Sequence, residues 1–391
     1  MKFNHMIFFK KIYGVHLWRA GFAALLLMDF GAWAAEPGVR PQKIVIGMSA
    51  PLTGSNAGYG KGLLLGLQTG FARFNDAGGV DGRKLELQVL DDGGRAEMAL
   101  ANTRTFISGG IFAVTGYHGA RSIETVSPLL DEGRIPMVGA ASSAESLREP
   151  MHRGLFNLRA GAREEAAAMV YQLDTVGILR IAAIGHEDGL GRSGMDAIQA
   201  ELIRLAINAV AIAKVSSQAT LNELSQAAKK ICDARPAAVL LALDARAALD
   251  ALRQVRAAGC RPQFYVMSET GADLSSQSVQ PGELTGVVVS QVLPSPENMA
   301  HPLVAEFKRE LAKKPETKAS YPALEGYLYA RVLGEALRWC SRNLTRDCLV
   351  DALESHRIDI PGYRLQFGPN NRRGAQFVEL TFMDGNGRLR R

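Results

Sequence analysis

Two groupings of residues in this sequence have types and spacings that could do chemistry. Gly189, Gly191 and Gly194 form a G-x-G-x-x-G motif, which surrounds a pyrophosphate in dinucleotide-binding folds. Those folds also need an acidic residue near the end of the next strand to hold the ribose. The corresponding segment, "AVAIAKVSSQ", contains Lys214 and no acid. A nucleotide-dependent enzyme built on these glycines is therefore the weaker alternative.

The second grouping consists of serines and histidines that could support hydrolysis. Ser142 and Ser143 follow an apolar segment, and His118 and His186 could act as bases. The sequence contains no G-x-S-x-G motif, which exposes the nucleophilic serine of α/β hydrolases. It also contains no H-E-x-x-H motif, and its histidines lack the spacing of zinc ligands. We therefore expect neither an enzyme nor a cofactor or metal site.

Polar and small residues gather where predicted strands end and helices begin. In open parallel sheets, ligands bind at this edge, next to the N-termini of the following helices. The clusters are residues 53–59, 117–122, 141–143, 186–191, 244–246 and 268–271. Each glycine or serine alone is typical of a helix cap, but the six clusters together favour a ligand site. Small residues such as Gly119, Ala120 and Ala141 would let a carboxylate approach backbone N–H groups.

These clusters require a fold in which strands and helices alternate. From Lys43 onward, short apolar segments such as "AAVLLAL" alternate with helical stretches of ten or more residues, which predicts parallel sheets covered on both faces. Two such series, divided near Asn157–Gly161, predict an α/β protein with two doubly wound lobes. Helices over 302–313, 322–341 and 345–355 follow, and then strands "YRLQFGP" and "QFVELTFMD". We predict lobe 1 over 43–160 plus about 294–366, and lobe 2 over 161–293 plus about 367–391.

The first 34 of the 391 residues predict a cleaved signal peptide and a periplasmic protein. They combine a basic beginning, an apolar core over 20–28 that is too short to span a bilayer, and "AWA" at 32–34. An uncleaved anchor is the alternative. This segment carries four basic residues and one acidic residue, so the net charge of +6 falls to +3 without it. With no run of Lys or Arg, nucleic acid is not an expected partner.

The four cysteines are Cys232, Cys260, Cys340 and Cys348, and none has C-x-x-C spacing. In an exported protein, an even number favours disulfides, here Cys232–Cys260 and Cys340–Cys348. Free buried thiols remain an equal alternative for each pair.

Five blocks of the sequence resemble periplasmic leucine/isoleucine/valine-binding proteins, the type I solute-binding subunits of ABC importers. They are "IVIGMSAPLTGSNAGYGKG", "FNDAGGVDGRKLELQVLDDGG", "DEGRIPMVGAASSAESL", "RIAAIGHEDGLGRSG" and "LRQVRAAGCRPQFYVMSETG". The blocks occur in the family's order, from about Lys43 to the C-terminus. The resemblance implies the type I periplasmic binding protein fold, with two lobes joined by a multi-strand hinge that close on a ligand. It also implies a membrane permease as partner, and we expect a monomer.

The resemblance also implies a set of ligand-binding residues. Tyr59 matches a tyrosine of the family's first loop, and Ala141 and Ser143 match groups that hold an amino acid's carboxylate and amine. Glu269 matches the acid that pairs with the ammonium, and Tyr321 falls near an aromatic pocket position. We add Ser142 as a further carboxylate ligand.

The sequence departs from the family at other positions of the site. Gly119-Ala120 replaces a serine cluster of amino-acid-binding members. The adjacent Arg121 could grip a carboxylate instead, although a solvated arginine in the first turn of a helix is the alternative. Leu190 replaces an aromatic residue, and Asp244 falls near a family tyrosine. The expected ligand is a small carboxylate, with a branched-chain or related amino acid favoured. The alternative is an envelope receptor that senses an amide or an aromatic acid.

Overall fold

The computed structural model describes residues 36–148, 152–187, 189–274, 277–314, 316–341, 343–355 and 358–390. The predicted signal peptide over residues 1–34 lies outside these ranges. No helix within the described ranges is both long enough and apolar enough to cross a membrane.

Strands and helices alternate along most of the described chain. The strands are β1 (Val39–Arg40), β2 (Lys43–Ala50), β3 (Lys84–Asp91), β4 (Ala113–Val114), β5 (Tyr117–His118), β6 (Met137–Val138), β7 (Ala140–Ala141), β8 (Leu155–Phe156), β9 (Ile181–His186), β10 (Ala211–Val215), β11 (Ala238–Ala242), β12 (Gln263–Val266), β13 (Val288–Gln291), β14 (Glu379–Met383) and β15 (Leu389–Arg390). The helices are α1 (Ala57–Asp76), α2 (Ala96–Gly109), α3 (Ala120–Glu132), α4 (Ala162–Thr175), α5 (Gly189–Arg204), α6 (Leu221–Asp233), α7 (Ala245–Ala257), α8 (Ser268–Leu274), α9 (Pro302–Leu311), α10 (Tyr321–Cys340) and α11 (Arg346–Ser355).

The strands form two main sheets, one in each half of the chain. In the first sheet, the parallel strands lie in the order β3-β2-β4-β6-β8, and β1 pairs antiparallel with the start of β2. The second sheet has the order β10-β9-β11-β12-β13-β14-β15, with parallel pairs up to β13 and antiparallel pairs after it. The short pair β5–β7 extends the carboxyl edge of the first sheet. The prediction of an α/β fold with two parallel sheets is confirmed.

The tail of the chain returns to both sheets. Helix α10 packs on α1 so closely that a Cβ atom at Gly66 would lie 2.0 Å from the carbonyl oxygen of Ala323. Glycine is therefore required at that crossing, because any side chain would push the helices apart. Strands β14 and β15 then join the second sheet. The tail thus contributes helices to one half and strands to the other.

The predicted strand "YRLQFGP" is wrong, because these residues form only isolated bridges. The backbone N–H of Gln366 donates to the carbonyl oxygen of Gly374, within the same irregular segment, and not to a neighbouring strand. The Tyr363 hydroxyl donates to the carbonyl oxygens of Leu158 and Val292, at 3.2 and 3.0 Å. This segment is therefore held in place by the Tyr363 side chain and by backbone hydrogen bonds within its own turns.

All four cysteines are paired in the structure. One disulfide joins Cys232 to Cys260, and the other joins Cys340 to Cys348. The first links the end of α6 to the segment before β12, and the second links α10 to α11.

Candidate functional site

A loop at the carboxyl edge of the first sheet presents hydrogen-bond donors to the second half of the chain. This loop, residues 142–144, follows β7 and is buried. The guanidinium of Arg148 donates to the carbonyl oxygens of Ala144 and Ser142, at 2.7 and 3.0 Å, and to that of Ala160 at 3.0 Å. Burial lowers the pKa of Arg148 to about 10, which still leaves it charged at neutral pH. Because two loop carbonyls are tied to Arg148, the orientation of the loop is fixed.

The donors of this loop meet an acidic side chain from the second half. Glu269 lies in the first turn of α8, and its Oε1 accepts hydrogen bonds from the backbone N–H and from the hydroxyl of Ser143. The hydroxyl bond is 2.9 Å long. Ser143 is fully buried and Glu269 is 5% exposed. The contact is therefore buried between the two halves of the chain, and we call this region the cleft.

Close to Glu269 lies a buried polar group that we name the cleft cluster, made of Tyr59, Arg159, Glu165, Ser268 and Glu325. The Arg159 guanidinium donates to the Tyr59 hydroxyl at 2.7 Å and to the Ser268 hydroxyl. It also lies 3.4 Å from the Glu325 carboxylate and 3.7 Å from that of Glu165. The cluster joins α1, α4, α8 and α10 through a single cation.

Burial governs the ionisation of this cluster. Desolvation disfavours the charge on Arg159, but the surrounding acidic groups outweigh it, so the pKa of Arg159 rises well above its usual value. Desolvation raises the pKa of Glu165, and Arg159, Ser290 and Ser268 offset only part of that increase. The carboxylate of Glu165 also accepts hydrogen bonds from the Ser268 backbone N–H at 2.7 Å and from the Ser290 hydroxyl at 2.6 Å. One arginine thus compensates two buried glutamates.

Tyr59 connects the cleft cluster to two further titratable groups. Its ring lies 4.4 Å from that of His118, at an angle of 43°. The carboxylate of Asp273 accepts a hydrogen bond from the Tyr59 backbone N–H, and burial raises the pKa of Asp273 to about 6. His118 is also buried, and its Nε2 has no hydrogen-bond partner among the described residues. His118 pairs with Ala141 between β5 and β7, which places it beside the Ser143 loop.

The structure brings several predicted site residues together. Tyr59, Ser143 and Glu269 lie around the cleft, and Ala141 leads into the Ser143 loop. The hydroxyl of Ser142 accepts a hydrogen bond from the Ala144 N–H at 3.2 Å. Gly119 and Ala120 lie on the same edge, where Gly119 has a φ of +84° and its N–H donates to the Ala141 carbonyl oxygen at 3.2 Å.

Other predicted residues are not brought to this group. The Arg121 side chain is 80% exposed and lies 3.3 Å from the Glu97 carboxylate, because its position in α3 faces away from the buried side of the helix. Asp244 caps α7 through the Ala247 N–H and lies 3.1 Å from His186. Tyr321 begins α10, partly buried against the core. Leu190 lies in α5, but its side chain is outside the part of the chain that the structure describes.

Sequence reasoning missed the charged residues that organise the cleft, namely Arg148, Arg159, Glu165 and Glu325, and also missed Asp273. A usable signal existed for Glu325, which stands in the apolar stretch "YPALEGYLY" of a helix that is buried almost throughout. A charged residue in such a stretch is almost never buried without a partner. The partners could not be found in the same way, since Tyr59 and Arg159 are distant in sequence.

The geometry alone indicates a class of protein. Two α/β halves enclose a buried polar cleft in which hydrogen-bond donors of one half face an acid of the other. Small-molecule sites commonly have this form, with a few polar groups in a concave region between two domains. This is the architecture of a two-lobed ligand-binding protein.

The family model described as periplasmic binding protein matches residues 43–388. This chain therefore belongs to the periplasmic binding protein family, and its resemblance to the Leu/Ile/Val-binding members is confirmed.

A Leu/Ile/Val-binding protein, BraC3, of Rhizobium johnstonii is 32% identical over 163 residues, which are 41% of this chain and 44% of that protein. The matched region is thus less than half the length of that curated relative.

Two solved structures extend the likeness over most of the chain. An extracellular ligand-binding receptor from Verminephrobacter eiseniae has a TM-score of 0.80 and 27% identity, over 89% of this chain and 100% of the other. A substrate-binding periplasmic protein from Ralstonia solanacearum has a TM-score of 0.78 and 27% identity, over 88% and 99%. The type I periplasmic binding protein fold is therefore confirmed.

Proposed function

We propose that this protein is the periplasmic solute-binding component of an ABC importer. It binds a small carboxylate-bearing solute, with a branched-chain or related amino acid favoured, and releases it unchanged to a membrane permease. The family match and the relative named Leu/Ile/Val-binding protein support the general role. A leader that is cleaved on export, as residues 1–34 predict, would deliver the protein to the periplasm.

One observation carries the proposed ligand class, the contact between Ser143 and Glu269. The backbone N–H and hydroxyl of Ser143 suit a carboxylate, since hydrogen bonds from such donors to an ionised acceptor are strong. The carboxylate of Glu269 suits an ammonium group. An α-amino acid carries both groups on one carbon, so it can meet both partners in this small space. The buried Nε2 of His118 offers a further polar contact on the same side of the cleft.

A thermal-shift screen of the purified protein against amino acids, aromatic acids and short amides tests this proposal. We expect the largest increase in melting temperature with a branched-chain or related amino acid, because a ligand that binds only the folded state stabilises it. Aromatic acids and amides are included because they are the expected ligands of an envelope receptor. An increase with these compounds alone would contradict the proposed ligand class.

Calorimetry with a charge variant then tests the role of Glu269. The Glu269→Gln substitution should weaken amino-acid binding by roughly 1.5–3 kcal/mol, the range for a hydrogen bond to a charged group. Glu132→Gln is the matched control, because Glu132 is an exposed acid at the end of α3, outside the clusters of the candidate site. Equal affinities in the Glu269 variant and the wild type would remove amino acids from the candidates.

A further inference from the structure

Glu269 occupies the donors that suit a solute carboxylate. The Ser143 N–H and the Ser143 hydroxyl both donate to the same oxygen, Oε1 of Glu269. Both residues are buried, so water does not compete freely for these bonds. Within the closed cleft, the protein's own carboxylate thus occupies the anion site.

The donors cannot easily turn away from Glu269. Arg148 is 4% exposed and holds the carbonyl oxygens on both sides of Ser143, those of Ser142 and Ala144. A rotation of the Ser143 peptide would break at least one of these charged hydrogen bonds. The Ser143 N–H is therefore a prepared anion site that requires an occupant, since an unpaired buried donor is costly.

We propose that Glu269 acts as an internal ligand, which holds the Ser143 site until a solute with both a carboxylate and an ammonium group displaces it. Glu269 thereby selects zwitterionic amino acids over plain carboxylic acids. This inference rests on the proposed function, in which the solute carboxylate binds Ser143 and the solute ammonium meets Glu269.

The selection follows from the charges that surround Glu269. A plain carboxylate that bound Ser143 would leave Glu269 without its donors, close to Asp273 and beside an arginine that also faces Glu165 and Glu325. The nearby cation, Arg159, interacts with Glu269 but also has to compensate Glu165 and Glu325. Like charges without compensation disfavour ionisation and binding in a buried site. An ammonium on the solute supplies the missing positive charge.

The first test needs no solute. Spin labels at Lys61→Cys in α1 and Asp196→Cys in α5 report the distance between the two halves, and both positions are exposed. The native cysteines are in disulfides and do not compete for the label. In the absence of solute, we expect a longer mean distance in Glu269→Ala than in the wild type. The control Glu132→Ala, at an exposed acid that ends α3 and lies outside the six clusters, should match the wild type.

The second test compares L-leucine with 4-methylpentanoate, which has the same carbon skeleton without the amine. Glu269→Gln keeps the shape of the side chain and removes its charge. We expect this variant to bind leucine about 10- to 100-fold more weakly than the wild type, as the range of roughly 1.5–3 kcal/mol implies, and 4-methylpentanoate about tenfold more tightly. A structural defect would lower the affinity for both compounds. A lower affinity for leucine together with a higher affinity for 4-methylpentanoate would therefore identify displacement of Glu269.

The outcomes separate this inference from the function on which it rests. An unchanged distance in Glu269→Ala, together with no gain of 4-methylpentanoate affinity in Glu269→Gln, would overturn the internal-ligand role even if leucine binds the wild type. A longer distance in Glu269→Ala would support the role of Glu269 in holding the Ser143 site. If the wild type then bound no amino acid, the proposed ligand class and the selection of zwitterions would both be overturned, while the hold of Glu269 on Ser143 would stand.

Discussion

Arg159 and Arg121 both follow short strands of the first half, and each lies beside glutamate, yet their surroundings differ completely. Arg159 is 1% exposed and reaches Tyr59, Ser268 and two glutamates in the cleft cluster. Arg121 is 80% exposed and contacts Glu97 at the surface. Position at a strand end therefore identifies candidate residues, but burial decides which of them shapes the cleft. The same substitution in both arginines can test this difference.

The largest effect is expected at Arg159. Arg159→Met removes the cation shared by Glu165 and Glu325 and leaves both carboxylates buried. Breaking a buried ion pair in this way costs about 3–5 kcal/mol of unfolding free energy. Urea denaturation followed by circular dichroism measures the loss.

A compensating variant separates charge from packing at this site. Adding Glu325→Gln to Arg159→Met removes one of the uncompensated charges, so part of the lost stability should return. If Arg159→Met costs less than about 1 kcal/mol, which is the usual value of an exposed pair, then the distinction between the two arginines fails.

The two arginines also show how much of the fold and of the candidate site can be predicted from the sequence. Alternating apolar and helical segments sufficed for the α/β fold, since each segment's periodicity is local. Resemblance supplied Ser143 and Glu269 as partners of one ligand, and the structure brings them together. The resemblance suggested no partner for Arg159, which is the last residue of the segment "FNLR" that begins at the end of β8.

The main limit on predicting the site from the sequence was the direction in which side chains point from a helix. Arg121 is adjacent to Gly119-Ala120 in sequence, but the buried face of α3 contains Ala120, Ser122 and Ile123. Each residue of a helix is rotated by about 100° from the one before it, so a position next to Ala120 could not by itself bring Arg121 into the cleft. The cleft cluster was missed for the opposite reason, because its members come from five separate segments of the chain.

Asp273, another buried charged residue of the cleft, should make the stability of the protein depend on pH. Its pKa is raised from 3.8 to about 6 by burial, so the folded state holds a proton more tightly than the unfolded state. The stability that this proton provides is fully present below about pH 3.8 and is lost as the pH rises through about 6. Asp273→Asn should therefore raise the unfolding free energy at pH 7.5 by about 2–3 kcal/mol and change it little at pH 4.

Urea denaturation at the two pH values measures this effect, with Asp196→Asn as an exposed control. The asparagine oxygen can still accept the Tyr59 N–H, so the variant removes the charge and keeps the hydrogen bond. An equal change at pH 4 and pH 7.5 would assign the effect to packing and remove Asp273 from the buried charges of the cleft.

The smallest effect is expected at Arg121. Arg121→Met removes one surface pair with Glu97, which is worth about 0–1 kcal/mol because water and salt screen both charges. The affinity for L-leucine in calorimetry should match that of the wild type, since the guanidinium lies outside the cleft. If Arg121→Met instead weakened leucine binding about tenfold without a loss of stability, Arg121 would turn into the cleft when solute binds. The arginine nearest in sequence to Gly119-Ala120 would then be the carboxylate ligand, and burial in the closed cleft would no longer distinguish it from Arg159.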